Sequence, residues 1–216
     1  MTATLPAKTA NTRGIRARAA VLDAATALFA ERGYLGASLA EIAERAGVSK
    51  SVILYHFADK DALWRACVDD LWGTVDAFYS ARWPREASPS RQTVEVILRL
   101  FIEAALRWPA YVRIPSIEGA SPSWRSQWLV ERHFAPHVRV TDRILRGCAR
   151  RGLLRADDPV QAQVFLTSGI NVLVTQAAMW SAAFEQRVDS LHFLDRYVDH
   201  VLDLTFRSER LDKRGD

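Results

Sequence analysis

Apolar residues recur at three- and four-residue spacing along most of the chain, which is the spacing of an amphipathic helix. In the first such segment, Leu22, Ala25 and Phe29 fall on one face of a helix predicted from Arg13 to Arg32. Gly33 follows, and a glycine in the left-handed conformation is a common way to end a helix. The pattern therefore predicts that the fold begins with a helix.

Two short helices are predicted next. The sequence SLAE, Ser38 to Glu41, is a capping box, in which the serine hydroxyl and the glutamate carboxylate satisfy each other's first-turn amides. The helix that it starts ends near Ala46, because Gly47 opens a turn, and Ser49 is expected to cap a third helix. Two short helices joined by a tight glycine turn make a helix-turn-helix, whose second helix fits the major groove of DNA.

The third helix is predicted to have one buried face and one outward face. Val48, Ile53 and Phe57 would hold it against the first two helices. Hydroxyl, imidazole and ammonium groups on the outward face can donate hydrogen bonds to phosphates, and a valine methyl can meet the methyl group of thymine. The residues predicted to face DNA are Lys50, Ser51, Val52, Tyr55 and His56.

A longer helix is predicted directly after the third one, with Asp59 as its cap and Lys60 in its first turn. At that position the helix dipole and the ammonium group can hold one phosphate together. The helix extends to about Ser80 and should connect the helix-turn-helix with the rest of the chain. Its apolar face consists of Leu63, Cys67, Leu71, Val75 and Phe78.

The middle of the chain is predicted to be helical, with breaks at proline and glycine. A helix from Arg91 to Arg107 precedes a proline-punctuated segment that can form only short helices or turns. A long helical pattern then runs from Trp124 to Arg151, with an interruption expected at Pro136, and Gly152 ends it. This half of the chain is therefore also predicted to be all-helical.

Residues 159–184 contain no charged side chain, which raises the question of a membrane span. Polar side chains in this segment would be costly in lipid, so we expect a helix buried on two sides and no membrane association. These polar residues are Gln161, Gln163, Thr167, Ser168, Asn171, Thr175 and Gln176.

Composition agrees with an all-α fold of about nine helices. The chain has 216 residues, of which 49% are hydrophobic, and its seven Trp against ten Gly and eight Pro favour bulky helical packing. We expect a flexible basic tail at 1–12, a helix-turn-helix domain at 13–58, a helical ligand-binding and dimerisation domain at 59–208, and a flexible tail at 209–216.

The cysteines and the N-terminal segment favour a cytoplasmic protein. Cys67 and Cys148 lie among apolar neighbours, as small core residues do. The first eleven residues, MTATLPAKTAN, contain no apolar stretch of the kind that marks a secretory signal. The net charge of +4 decides little, because residues 1–80 hold equal numbers of basic and acidic side chains.

The segment from Ala24 to Val68 resembles the DNA-binding domain of the TetR family of transcriptional regulators. The shared features are Phe-Ala, Arg-Gly-Tyr, Gly-Val-Ser, His-Phe and the lysine that follows, all in register. One position departs, because Leu54 stands where the family commonly has a tyrosine, with Tyr55 next to it. The resemblance implies contact with DNA by Ser38, Leu39, Ser49, Lys50, Ser51, Val52, Tyr55, His56 and Lys60.

The resemblance also implies a homodimer formed by the last two long helices. The final helix carries a seam at three- and four-residue spacing that suits packing against another long helix. A purely intramolecular core is the alternative for this seam, since helical seams serve either role. The seam residues are Leu191, Leu194, Val198, Val201 and Thr205.

A small-molecule cavity is expected in the C-terminal two thirds. Aromatic surface with a few polar groups is the usual lining of such a cavity, although aromatic residues at helical spacing are often simply core. The candidates are Tyr111, Arg113, Glu118, Trp124, Trp128, Phe165 and Asn171. His133 and His137 have the spacing of a metal pair, but Pro136 disturbs that turn and no third ligand is evident, so we expect no metal and no cofactor.

These features together predict a ligand-responsive transcriptional repressor. It would bind a palindromic operator in double-stranded DNA as a dimer and release it when a small, largely apolar effector binds. An activator, or a regulator that responds to a protein partner, would carry the same sequence features. An all-α enzyme is disfavoured, because no nucleophile-base arrangement, phosphate loop or metal cluster is present in the sequence.

Overall fold

Helices account for almost all regular structure in the computed structural model, which describes residues 7–156 and 158–207, with side chains from residue 12 onward. The helices are α1 (Ala7–Gly36), α2 (Leu39–Arg45), α3 (Lys50–His56), α4 (Lys60–Arg82), α5 (Arg91–Arg107), α6 (Ala110–Glu118), α7 (Trp124–Leu129), α8 (Ala135–Arg150), α9 (Pro159–Thr175), α10 (Ala177–Phe184) and α11 (Leu191–Thr205). A π-helical turn, Val130–Phe134, joins α7 to α8. The prediction of an all-α fold is confirmed.

Two boundaries differ from the sequence-based prediction. Helix α1 already begins at Ala7, inside the segment expected to be a tail, whereas the rest of that tail and the tail at 209–216 lie outside the described residues. The described residues also form more helical segments than the nine expected, in part because a break at Gln176 divides the uncharged segment into α9 and α10.

The helix-turn-helix forms as its capping residues predict. The Ser38 hydroxyl accepts a hydrogen bond from the Glu41 amide at 3.1 Å, and the Glu41 carboxylate accepts one from the Ser38 amide at 3.2 Å. Gly33 and Gly47 have φ of +70° and +65°, a conformation that favours glycine. Ser49 occupies the N-cap position of α3 but makes no side-chain cap bond, because its hydroxyl pairs with that of Ser51 instead.

One hydrophobic cluster joins the helix-turn-helix to the larger part of the molecule. Helix α4 supplies its central row of buried residues and packs closely against α1, which in turn contacts α2 and α3. Leu100 of α5, Ile114 of α6 and Leu129 of α7 belong to the same cluster. The residues of α4 that are buried are Leu63, Trp64, Cys67, Val68, Leu71, Trp72, Val75 and Phe78. The core therefore runs across the boundary predicted between residues 58 and 59.

A second hydrophobic cluster lies between α5, α8, α9 and α11. On its solvent side, Arg99 of α5 pairs with Asp195 and Asp199 of α11, with N–O distances of 2.6 and 2.7 Å. Tyr197 of α11 covers Gly169 of α9 so closely that a Cβ atom at Gly169 would lie 1.6 Å from the tyrosine hydroxyl. A side chain at position 169 would therefore force the Tyr197 ring to move from its present place.

The seam predicted for the dimer interface lies mostly inside the chain. Leu194, Val198 and Val201 belong to the second cluster, and Thr205 is buried beside them. Leu191 is 59% exposed at the start of α11. The intramolecular alternative therefore holds for four of the five seam residues, because side chains enclosed by their own chain have no surface to offer a partner.

The uncharged segment 159–184 is not the doubly buried helix that was expected. It forms α9 and α10, which are bent by 82° at Gln176. Helix α9 buries only the face that carries Ala162, Leu166, Ile170 and Val174, and α10 buries none of its residues. No single helix in the described part of the chain has the length and hydropathy of a membrane span, although the bent α9–α10 pair would have them if taken together.

The predicted interruption near Pro136 is a π-helical turn. Proline has no N–H group, and its ring clashes with the carbonyl one turn earlier in an ideal α-helix. The chain avoids this clash by widening the preceding turn, in which the Ala135 amide donates to the Val130 carbonyl five residues back. Helices α7 and α8 thus remain continuous through the proline.

The assignment of Val198 to the core predicts the result of placing a charge there. Val198→Asp should lower the free energy of unfolding by more than about 4 kcal/mol, because the carboxylate would be buried without a partner. Leu191→Asp on the exposed end of the same helix should change it by less than about 0.5 kcal/mol. Chemical denaturation followed by circular dichroism measures both, and a well-folded Val198→Asp monomer would contradict the assignment.

Candidate functional site

Helix α3 presents a polar surface with one large exposed aromatic ring. Ile53 and Phe57 are buried against α1 and α2, as predicted, and Tyr55 on the opposite side is 84% exposed. Leu54, at the position where a tyrosine was expected from the resemblance, is also exposed. Among the residues predicted to face DNA, Ser38, Ser49, Lys50, Ser51 and Tyr55 are exposed, whereas Leu39, Val52, His56 and Lys60 are half-buried.

Lys60, at the start of α4, stacks on an aromatic ring beside this surface. Its ammonium nitrogen lies 4.3 Å from the centroid of Tyr34, and the guanidinium of Arg125 lies 4.3 Å from the same centroid. The Tyr34 hydroxyl donates a hydrogen bond to Asp61. Partial burial and the nearby Arg125 lower the pKa of Lys60. Tyr34 therefore positions the lysine that is predicted to meet a phosphate.

The residues around Arg125 form a buried junction between α1, α4, α6 and α7. Glu118 accepts a hydrogen bond from Arg125 at 2.8 Å, and both side chains are largely buried. Trp124 and Trp128 pack edge-on against Trp64, with ring centroids 5.6 and 5.5 Å away. These contacts place the side chains between the helix-turn-helix and the larger domain.

Five of the residues predicted to line a ligand cavity lie outside the cavity that is enclosed by α4, α5, α6, α8 and α9. Glu118, Trp124 and Trp128 belong to the junction. Their prediction as cavity residues was wrong because the spacing of aromatic residues does not distinguish core from cavity wall. Arg113 is exposed. Phe165 is 45% exposed on the outer face of α9.

The cavity itself lies deeper, among α4, α5, α6, α8 and α9, and has a volume of about 610 Å³. Of the predicted residues, Tyr111 and Asn171 line it. Sequence reasoning missed its other polar residues, although Gln163, Thr167 and Asn171 repeat every fourth position on a helix without charges, which was a usable signal. Much of the apolar wall is formed by Val94, Ile97, Leu98, Phe101, Ile144 and Leu145.

Most polar groups on the cavity wall pair with one another. His137 Nε2 lies 2.7 Å from an Asp76 carboxylate oxygen, and the Gln163 amide donates to the Thr141 hydroxyl at 2.7 Å. The amide oxygen of Asn171 is buried and makes no hydrogen bond within the described residues. The wall therefore offers an unsatisfied polar group in an otherwise apolar space.

Two tyrosines add hydroxyl groups to the same wall. Burial raises the pKa of Tyr111 from its ordinary value of 10.0 to about 12. Burial, together with the neighbouring Tyr111, raises the pKa of Tyr79 still further. Both hydroxyls are thus protonated at neutral pH and are able to donate hydrogen bonds.

The two histidines of the candidate metal pair link α8 and the π-helical turn to α4. His133 Nε2 lies 2.9 Å from Asp69, and His137 binds Asp76 as described above. Burial lowers the pKa of His133, although Asp69 acts in the opposite direction. These two contacts attach the π-helical turn and α8 to α4. Within residues 7–156 and 158–207 no group of three metal-binding side chains comes together.

The fold and the exposed face of α3 define a helix-turn-helix protein of the kind that binds DNA. Residues 21–67 match the family model described as bacterial regulatory proteins of the tetR family. The chain is 34% identical over 117 residues to the HTH-type transcriptional regulator RutR of Escherichia coli strain K12, covering 50% of this chain and 52% of RutR. It is 29% identical over 202 residues to the HTH-type transcriptional repressor AcnR of Corynebacterium diphtheriae, covering 93% and 95%.

Residues 21–67 of the chain are thus similar to the tetR family of bacterial regulatory proteins. The chain covers only 28% to 52% of the length of the first curated relatives that it matches. A solved structure titled as a putative fatty acid metabolism regulator of Clostridium perfringens shares the fold, with a TM-score of 0.67, 17% identity and coverage of 86% of this chain and 97% of that one. The curated relatives are named as regulators or receptors, which agrees with the prediction that the chain is not an enzyme.

The position of Lys60 beside α3 predicts how it contributes to DNA affinity. Lys60→Ala should weaken binding to duplexes of any sequence and lower the slope of log affinity against log salt by about one unit, because one phosphate contact is lost. Fluorescence anisotropy of a labelled duplex over a range of salt concentrations measures both effects. Arg85→Ala removes an exposed cation between α4 and α5 and should leave both unchanged. An unaltered salt slope in Lys60→Ala would contradict the phosphate contact.

Proposed function

We propose that this chain is a cytoplasmic, ligand-responsive repressor that binds a palindromic operator as a homodimer and releases it when a small molecule enters the cavity. The observation that carries this proposal is the position of α4. Its first residue, Lys60, follows the last residue of α3, His56, by four positions, and Asp76, Tyr79 and Ser80 near its other end form part of the cavity wall. One helix thus touches both the candidate DNA surface and the cavity.

The contacts of α4 supply the coupling between the two sites. At the cavity end, His133 and His137 hold the helix through Asp69 and Asp76. At the other end, Lys60 rests on Tyr34, which Arg125 covers from α7. A ligand that favours one position of α8 would shift α4 and, with it, α3. In a dimer this changes the spacing of the two recognition helices, which must match half-sites about 34 to 36 Å apart.

The dimer interface in this proposal is the exposed apolar face of α9 and α11. Val160, Val164 and Phe165 project from α9 next to Tyr197 of α11, where they border a shallow apolar groove. Leu204, two turns beyond Tyr197, extends the same face of α11. The family resemblance implies a second copy of the chain as the occupant, through these same two helices. Residues on the outer face replace the buried seam as the contacts of that interface.

This arrangement predicts the effect of a charge on the outer face. Val164→Asp or Phe165→Asp should yield folded monomers, because the carboxylate would be buried in the interface but remains in water in the free chain. Multi-angle light scattering gives the mass, and circular dichroism checks the fold. Leu35→Asp, an equally drastic change at an exposed apolar residue of the helix-turn-helix, should stay dimeric. A wild-type monomer at micromolar concentration would contradict the interface.

Coupling between the two sites predicts a reciprocal effect of effector and operator. With a typical coupling energy of about 1 to 3 kcal/mol, a bound effector should weaken operator affinity roughly 5- to 150-fold, and the operator should weaken effector affinity by the same factor. The operator is sought as a palindrome in the DNA next to the chain's own gene. Tryptophan fluorescence titrations with and without operator then compare the effector affinities. Equal affinities would refute release by the effector, and tighter binding with operator present would indicate a co-repressor or an activator.

A further inference from the structure

We propose that the cavity selects a neutral, largely apolar molecule with one or two oxygen groups that form hydrogen bonds, and that it rejects carboxylates and ammonium ions. This inference rests on the proposed function, because it assigns a chemical class to the effector of that same cavity. It depends on three observations: the charges on the wall, the pairing of those charges, and the position of the unpaired polar groups.

No basic side chain other than His137 lines the cavity among the described residues. The arginines of α8 at positions 139, 143, 146 and 150 are all exposed and lie outside the wall. A carboxylate or phosphate that entered the apolar interior would therefore lose its hydration without gaining a full countercharge. The wall disfavours anionic ligands for this reason.

The acidic group of the wall is already paired. Asp76 binds His137 Nε2 at 2.7 Å, and His137 Nδ1 lies 2.7 Å from the His133 carbonyl oxygen, so both ring nitrogens are occupied. An ammonium ion at this carboxylate would have to share it with His137, and it would do so at the exposed mouth of the cavity, because the Asp76 side chain is about half exposed. The wall therefore offers no free countercharge to a cation either.

The other polar groups of the wall are neutral and lie on two sides of the cavity, and only some of them remain available to a ligand. Gln163 and Thr167 of α9 are satisfied by Thr141 and by the Gln163 carbonyl, at 2.7 and 3.0 Å. Asn171 keeps an amide oxygen without a partner, and the hydroxyls of Tyr79 and Tyr111 interact with each other, which leaves one of their two protons to donate to a ligand. A hydroxyl or carbonyl group matches these donors and acceptors without adding a charge.

The cavity also has an opening to solvent through which a largely apolar molecule could enter. Asp76 and Ser80 of α4, Phe134 of the π turn and Val140 of α8 line it and are exposed, so they mark its mouth. The remaining wall is mostly apolar and leads inward to Leu98, Leu145 and Leu166. A volume of about 610 Å³ falls within the range of sites for molecules of drug size.

Three probes with the same alkyl chain test the proposal. 1-Decanol, decanoate and decylammonium differ only in the charge of the head group, and each is titrated below its aggregation concentration into the wild-type chain without DNA. Binding is followed by calorimetry and by tryptophan fluorescence, since Trp83 lines the cavity. We expect the alcohol to bind roughly tenfold or more tightly than either ion, because the ions enter unpaired.

Two variants assign the binding to this wall. Tyr111→Phe should weaken decanol binding about 3- to 10-fold through loss of one hydrogen bond. The matched control Tyr55→Phe removes a hydroxyl from the exposed face of α3 and should have no effect. Ser80→Lys places a cation at the mouth, on an exposed position that tolerates it, and should strengthen decanoate binding while leaving decanol nearly unchanged.

The outcomes separate this inference from the repressor proposal. Decanoate or decylammonium binding as tightly as decanol, or no binding by any of the three, overturns the assignment of a neutral ligand. Insensitivity of decanol binding to Tyr111→Phe also overturns it. Because the titrations contain no DNA, selective binding of the alcohol supports the ligand class even if no effector releases an operator, and that second failure counts only against the repressor mechanism.

Discussion

Helix α4 buries one apolar face along most of its length, and both candidate functional regions are built against it. Its first half packs against α1 in the same hydrophobic cluster as residues of α2 and α3, and its second half contributes Val75 and Phe78 to that cluster. A three-helix module of this size would bury little apolar surface alone. The helix-turn-helix therefore derives much of its stability from α4, which also forms part of the cavity wall. The position of the helix-turn-helix thus depends on the position of α4.

Local signals in the sequence predicted the elements well, because each is decided within a few residues. The capping box at Ser38, the glycine turn at Gly47 and the N-cap at Asp59 formed as expected, whereas Gly33 bends α1 three residues before its end instead of ending it. The helix from Arg91 to Arg107 has the predicted ends. The apolar face of α4 is buried as its spacing indicated. These features depend on backbone hydrogen bonds and periodicity, which a single segment contains in full.

The assignments that failed depend on which helices meet. The seam of α11 has the same spacing whether it packs on α5 and α9 or on a second copy of the chain, so sequence alone left both open. Trp124 and Trp128 are of a residue type that is common in cavity walls, but they pack edge-on against Trp64 at the junction. Helix α9 lacks charges because its outer face is apolar although it is exposed. The prediction took this lack of charges as a sign of burial on two sides. Tertiary pairing supplied the missing information in each case.

The π-helical turn before Pro136 sets the rotational phase between two helices with different tasks. Helix α7 carries the junction residues, whereas α8 carries Thr141, Ile144 and Leu145 of the cavity wall. A π turn takes up one more residue than an α turn, so the extra residue and the proline belong together. Loss of the extra residue alone would press the proline ring against a carbonyl. Loss of the proline alone would permit α geometry and rotate α8 by about 100°, which would turn its cavity residues toward solvent. Relatives of this chain that lack one of the two features should therefore lack both.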